Sequence, residues 1–205
     1  MGGLVRMMPA VKARALIWSA TLAGAAIAVC RWAATPEGRE VDDELFKRAN
    51  AGGGPLADRY FAGVTELGSL YAAGAAAGAL AIAGERRPAA RALAAAGATW
   101  LISQGAKKVA GRARPYEIDP AGTRQLIAEP AGSSWPSSHP GVLTTFTRVA
   151  SRELGLGPGS RAALTGLDLS VAASRVYVGV HYPTDVFGGL LLGRAVARLW
   201  PRRPS

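Results

Sequence analysis

Six apolar runs, separated by short charged or Gly/Pro-containing segments, limit what this chain can fold into. They cover residues 15–29, 67–84, 89–105, 141–150, 162–180 and 186–200. Each reads as a helix. Several are shorter than the roughly 20 residues that cross a hydrocarbon core, so run length alone leaves a soluble helical bundle open. Composition weighs against it: 49% of the 205 residues are hydrophobic and only 19% charged, which is more apolar than an ordinary soluble domain. The first run follows Arg6, Lys12 and Arg14, the pattern of a signal peptide or signal anchor. Cys30-Arg31-Trp32 comes next instead of a small-residue cleavage site, so an uncleaved anchor is favoured. Residues 31–58 are polar and read as a loop with at most a short amphipathic helix.

Charge placement orients the bundle. The formal net charge is +10, which suits nucleic acid, anionic lipid or phosphorylated substrates. The N-terminal stretch, residues 85–91, residues 148–161 and the tail from 194 are all net positive, whereas residues 31–58 hold six acids against four cations. If the runs alternate across a bilayer, the positive segments share one side, and that side is the cytoplasm. The expectation is an all-α, six-transmembrane-helix bundle with both ends inside. Residues 106–136 break the rule, with five cations against three acids on the outer side, so those cations need a local purpose. Gly74/Gly78 and Gly189/Gly193 are GxxxG pairs that permit close helix approach.

Three segments carry chemistry. "KKVAGRARP" (107–115) supplies Lys107, Arg112 and Arg114; "WPSSHPG" (135–141) supplies Ser137, Ser138 and His139; "SRVYVGVHYPTD" (174–185) supplies Arg175, His181 and Asp185. The only two histidines are His139 and His181. His181 and Asp185 are four apart, so one helical turn brings them within reach, and a carboxylate on one imidazole nitrogen frees the other to attack. Arg175 matches phosphate oxygens with its fork. Asp168 shares its helical face, and an ionisable group in an apolar helix is costly. Serines at a helix start, with free backbone N–H groups, suit an anion. Bland readings exist for each piece: a structural His–Asp bond, a snorkelling arginine, N-cap serines, a solvated basic loop. The basic run lacks interleaved aromatics for base stacking, which argues against nucleic acid. One cysteine and two histidines without metal-ligand spacing argue against a protein-held metal.

Taken together the segments do more. Lys107, six residues, Arg114-Pro115; then "PSSH"; then Ser174-Arg175, five residues, His181, three residues, Asp185: this order and spacing resembles the three-part signature of the type 2 phosphatidic acid phosphatase (PAP2) superfamily, in its membrane lipid phosphatase branch. Bacterial class A acid phosphatases and vanadium haloperoxidases belong to the same superfamily. The resemblance covers about residues 56–200 and implies one integral membrane phosphatase domain over 1–205. By it, His181 is the nucleophile and forms a phosphohistidine, Asp185 orients it, and His139 protonates the leaving group and then activates water. Lys107, Arg114, Ser137, Ser138 and Arg175 hold the phosphoryl oxygens, and Arg112 supports the site. The family pattern most often has glycine where Ser138 stands; serine is acceptable there if its φ is ordinary.

The resemblance implies neither metal nor cofactor, and a lipid phosphate or diphosphate substrate (phosphatidic acid, phosphatidylglycerol phosphate or polyprenyl diphosphate) at the outer face of the cell membrane. A soluble or secreted acid phosphatase or haloperoxidase is the alternative, opposed by the apolar runs between motifs. A non-catalytic membrane protein is a third reading, opposed by the intact set of charged residues.

Overall fold

The computed structural model describes residues 4–201, with side chains from residue 13. Arg6, Lys12, Arg202 and Arg203, part of the charge pattern above, fall outside the described side chains. Among the described residues the chain is all-helical: α1 (Leu4–Trp32), α2 (Pro36–Asn50), α3 (Pro55–Val64), a 3-10 turn (Thr65–Gly68), α4 (Leu70–Ile82), α5 (Arg86–Ala110), α6 (Pro115–Ile118), α7 (Ser138–Glu153), α8 (Pro158–Tyr177) and α9 (Pro183–Leu199). The six apolar runs become α1, α4, α5, α7, α8 and α9. The expected count of six is exceeded because α2, α3 and the single turn α6 form in segments that read as loop. α2 buries Asp42, Phe46 and Asn50, one face at a spacing of four. Two of those three residues are polar, so the face carries little apolar signal.

Helix ends follow local chemistry. Thr35 Oγ1 accepts from Gly38 N at 3.1 Å and Ser69 Oγ from Ala72 N at 3.1 Å, each closing a helix N-terminus. Pro36, Pro55, Pro158 and Pro183 open their helices, where the missing N–H costs nothing. Gly111, at φ 57°, stops α5 in a left-handed cap and donates to Lys107 O, as a residue without Cβ can do freely.

α7 is the central helix. Its Val142, Phe146 and Val149 pack on Ala92, Ala95 and Ala96 of α5 in one apolar cluster, the small alanines letting the helices approach. α7 and α9 come closer still. A Cβ at Gly193 would sit 2.5 Å from Gly141 O, and one at Gly189 2.1 Å from Ser137 O. Thr145 Oγ1 donates to Gly193 O at 3.0 Å across the same seam. The Gly189/Gly193 pair is therefore a helix contact, whereas Gly74 and Gly78 face open space. This seam sets the start of α9, with Asp185, against the start of α7, with His139.

One stretch, Ala13–Trp32 of α1, is long and apolar enough to cross a membrane by length and composition. The other five fall short for visible reasons: α4 has only 13 residues, and α5, α7, α8 and α9 each carry several charged residues. Apolar side chains nonetheless face outward on Leu16, Ile17 and Ile27 of α1, Leu101 and Val109 of α5, and Ile82 of α4, the last 91% exposed. Such a spread of exposed apolar surface suits hydrocarbon and not water.

Candidate active site

The site forms where three connections meet at one end of α5, α7, α8 and α9. Backbone bonds lace them together: Ser134 N donates to Arg112 O at 2.8 Å and Ser137 N to Asp185 O at 3.0 Å. The first joins the basic segment to the serine segment, and the second joins that to the start of α9. Gly179, at φ 85°, reverses the chain after α8 under Arg124, whose O would lie 2.6 Å from a Cβ there. His181 is thereby returned to the end of α8, where its N donates to Arg175 O at 3.2 Å.

The cations are sequestered. Lys107, Arg114 and Arg175 are 7%, 1% and 1% exposed. Lys107 Nζ donates to Ser133 O at 2.6 Å. Arg114 donates from Nε to Gly132 O and from Nη1 to Val180 O, both at 2.9 Å, and its Nη1 lies 3.4 Å from His181 Nε2. Arg175 Nη1 donates to Thr65 Oγ1 at 2.8 Å. Arg175 Nε and Ser137 Oγ are both buried without a hydrogen-bond partner, which is costly unless something else supplies it. His139 stands within electrostatic reach of Arg175, His181, Lys107 and Arg114. Gly68 packs so tightly on it that a Cβ would lie 2.7 Å from His139 Cβ. Ser137 is the N-cap of α7 and Ser138 its first residue. No described non-glycine residue has a positive φ, so Ser138 has the ordinary backbone that its place in the motif requires.

The expected His181–Asp185 bond within one helical turn is not made. His181 precedes α9, which begins at Pro183, and its Nδ1 lies 3.7 Å from Asp185 Oδ2, beyond hydrogen-bond range. Pro183 forces the residue before it into extended backbone, which breaks the turn. Ser134 bridges instead: its Oγ donates to Asp185 Oδ2 at 2.5 Å and lies 3.3 Å from His181 Nδ1. With that hydroxyl proton committed to the carboxylate, its oxygen accepts from Nδ1–H, leaving Nε2 unprotonated beside Arg114. Burial, then Arg175, Arg114 and Lys107, hold His181 well below the usual histidine range, so the ring is neutral at neutral pH.

Asp185 accepts also from Tyr182 N at 2.9 Å and from Arg112 Nη1 at 2.7 Å. Arg112 donates further to Thr184 Oγ1 at 2.7 Å and to Asp42 Oδ2 at 2.6 Å, and Asp42 Oδ1 accepts from Thr184 N at 3.0 Å. Arg112 thus supports the site without facing its interior. Asp168 is not part of it; its carboxylate accepts from Thr147 Oγ1 at 3.1 Å farther along α8. Ser134, Thr65, Gly68, Asp42 and Thr184 went unread in the sequence. Thr184, inside the third segment, and Ser134, two residues before the proline of "PSSH", lay close enough to a motif to be found.

Ser134 touches both His181 and Asp185, so if His181 carries the chemistry, removing Ser134 should be felt in the chemical step. Ser134→Ala is expected to lower kcat about 10–100-fold with KM little changed, the effect of one buried hydroxyl bond at roughly 1–3 kcal/mol. Ser134→Thr should restore most of it. An unchanged kcat in Ser134→Ala would mean that Asp185 closes on His181 directly.

A family model described as the PAP2 superfamily matches residues 88–204. The fold is similar to that of a transmembrane PAP2-type phosphatidylglycerolphosphate phosphatase from Bacillus subtilis, with a TM-score of 0.70 and 23% identity over 87% of this chain and 91% of that one. It is similar also to LpxE of Aquifex aeolicus, with a TM-score of 0.68 and 26% identity over 75% of this chain and 90% of that one. Among curated proteins, YbjG of Escherichia coli (strain K12), named as an undecaprenyl-diphosphatase, is 44% identical over 63 residues. That match spans 31% of either chain.

Proposed function

The chain belongs to the PAP2 superfamily, and from that premise we propose that it is a multi-pass membrane phosphatase hydrolysing a lipid phosphate or diphosphate through a phosphohistidine at His181. The whole of residues 1–205 forms one such domain. α1, α4, α5, α7, α8 and α9 cross the bilayer with both ends in the cytoplasm, and the catalytic end faces outward. The charge bias of the connecting segments supports this orientation.

One observation carries the chemistry. Ser137 Oγ and Arg175 Nε are buried without partners in a site that also holds Lys107 and Arg114, and a phosphoryl group offers the acceptors and the negative charge they lack. Those side chains and the Ser138 N–H at the start of α7 hold the phosphoryl oxygens. His181 Nε2 attacks phosphorus, and the bond to the leaving oxygen breaks as His139 delivers a proton to it. Asp185, acting through Ser134, stabilises the cationic ring of the phosphohistidine. His139 then takes a proton from water, whose oxygen attacks phosphorus. The P–N bond breaks, inorganic phosphate leaves and His181 is regenerated. The substrate names carried by the relatives fit a lipid whose phosphate reaches the outer membrane surface.

The test is phosphate release by the purified protein in detergent from phosphatidic acid, phosphatidylglycerol phosphate and a polyprenyl diphosphate. At least one should be turned over, in the presence of EDTA, and vanadate should block it. In intact cells a cysteine replacing Ala121 should react with an impermeant thiol reagent, and one replacing Gly159 should not. Turnover of soluble nitrophenyl phosphate alone, by a protein extracted without detergent, would move the chain to the soluble acid phosphatase branch.

A further inference from the structure

Away from the catalytic end, α7, α8 and α9 carry a cluster of arginines that the chemistry above does not use. Arg148 and Arg152 of α7, Arg161 of α8, and Arg194 and Arg198 of α9 line one cavity of about 620 Å3. Arg148, Arg152 and Arg161 also line a neighbouring cavity of about 370 Å3, where Asp168 is the single carboxylate. Arg148 lies ten residues beyond Ser138 on α7, roughly 15 Å along the helix, so this recess is separate from the phosphoryl site.

Charge in the recess is unbalanced. Arg152 is engaged by the carbonyls of Ala197 and Trp200 at 3.0 and 3.2 Å and by the Glu153 carboxylate at 3.8 Å. Among the described residues, Arg148, Arg161, Arg194 and Arg198 make no ion pair, and Arg194 Nε is buried with no hydrogen-bond partner. Arg194 and Arg198 lie within electrostatic reach of Arg148, on which Asp168 is the one opposing charge. Cations grouped this way at the membrane end of three helices are expensive without counter-charge. The remaining wall is apolar: Trp18 and Leu22 of α1 complete the cavity, and Arg198 lies 5.6 Å over the Trp18 ring. α1 is also the helix best suited to face hydrocarbon.

We propose that this recess binds the headgroup of an anionic phospholipid, with the phosphodiester among Arg148, Arg161, Arg194 and Arg198 and the acyl chains along Trp18 and Leu22 of α1. A cavity of this size accepts a phosphoglycerol headgroup. The mixed lining fits a lipid in place of a free anion, since the charged floor meets an apolar wall continuous with the outer face of α1. The site is a second lipid site, at the end of the bundle opposite the catalytic one, and it does not depend on phosphatase activity.

Native mass spectrometry of the full chain in neutral detergent, titrated with phosphatidylglycerol or phosphatidylcholine, tests it. Phosphatidylglycerol should bind at least about tenfold more tightly than phosphatidylcholine. Each cation near a lipid surface contributes about fivefold, so Arg148→Gln combined with Arg194→Gln should lower that affinity roughly 25-fold. Arg161→Gln, at the exposed start of α8, should lower it about fivefold without disturbing helix packing, and decides the matter alone if the double variant fails to fold. Binding should persist in millimolar inorganic phosphate and in vanadate. Equal affinity for the two lipids, or no loss in Arg161→Gln, overturns the proposal. Displacement by inorganic phosphate would make the recess a soluble-anion site, and displacement by vanadate alone would put the lipid in the catalytic site.

Discussion

His181→Ala is expected to abolish turnover, by roughly 10⁴-fold or more, the scale seen when a covalent nucleophile is removed. It should also remove any acid-labile phosphoenzyme. Ser134 is no ready substitute, being committed to Asp185 at 2.5 Å, and Arg114 and Arg175 cannot act as nucleophiles. A phosphoenzyme that survives in His181→Ala would move the nucleophile elsewhere. Stability offers a second readout that needs no substrate. The folded protein holds His181 well below its ordinary value, through burial and then Arg175, Arg114 and Lys107. Unfolded, the same ring titrates near 6.5. Below that pH the unfolded chain takes up a proton that the folded chain refuses. The linked stability is therefore intact above about pH 6.5 and is lost as pH falls toward the folded value. Melting in detergent between pH 7.5 and 5.5 should show a shallower decline in His181→Ala than in the parent. Identical slopes would mean that His181 is not held neutral by its surroundings.

The parts of the site that were legible are those whose chemistry is written in residue type. Lys107, Arg114, His139, Arg175, His181 and Asp185 are rare or costly residues in an apolar chain, and their spacing ties them to one another. The structure brings Lys107, Arg114 and Arg175 together around His181. What escaped is what depends on the path of the chain. Asp42 reaches Arg112 and Thr184 from an acidic stretch with the composition of a loop. Ser134 is one of four serines within 133–138, and only the fold shows which of them touches His181. The break between His181 and Asp185 was hidden by their spacing of four, which suggests a helical turn until Pro183 is placed as the start of α9. Run length and hydropathy alone mark only α1 as a candidate span among the described residues, for a physical reason. α5, α7, α8 and α9 each carry site residues, and α7, α8 and α9 carry the recess arginines, so the helices richest in chemistry have the least apolar composition of the six apolar runs.

His139→Ala should split according to the leaving group, and that split separates the two histidines. A lipid alkoxide is a poor leaving group and needs a proton as its bond breaks, so hydrolysis of a lipid phosphate should fall by roughly 10²–10⁴-fold, the usual worth of a general acid. A nitrophenolate leaves without that help, so phosphoenzyme should still form from nitrophenyl phosphate at a rate much nearer that of the parent. The second half-reaction does not distinguish them. Water must lose a proton to attack the phosphohistidine, and with His139 gone no other imidazole remains in the chain but the one carrying the phosphate. Phosphoenzyme should accumulate in His139→Ala supplied with the activated substrate, seen as a burst of nitrophenolate stoichiometric with protein followed by a slow phase. Its packing makes the variant a fair probe, because alanine keeps the Cβ that Gly68 is shaped to meet and removes only the ring. If the burst is absent and both substrates slow equally, His139 positions the phosphoryl group and does not carry the proton. If His181→Ala traps the phosphoenzyme and His139→Ala does not, the two roles are reversed.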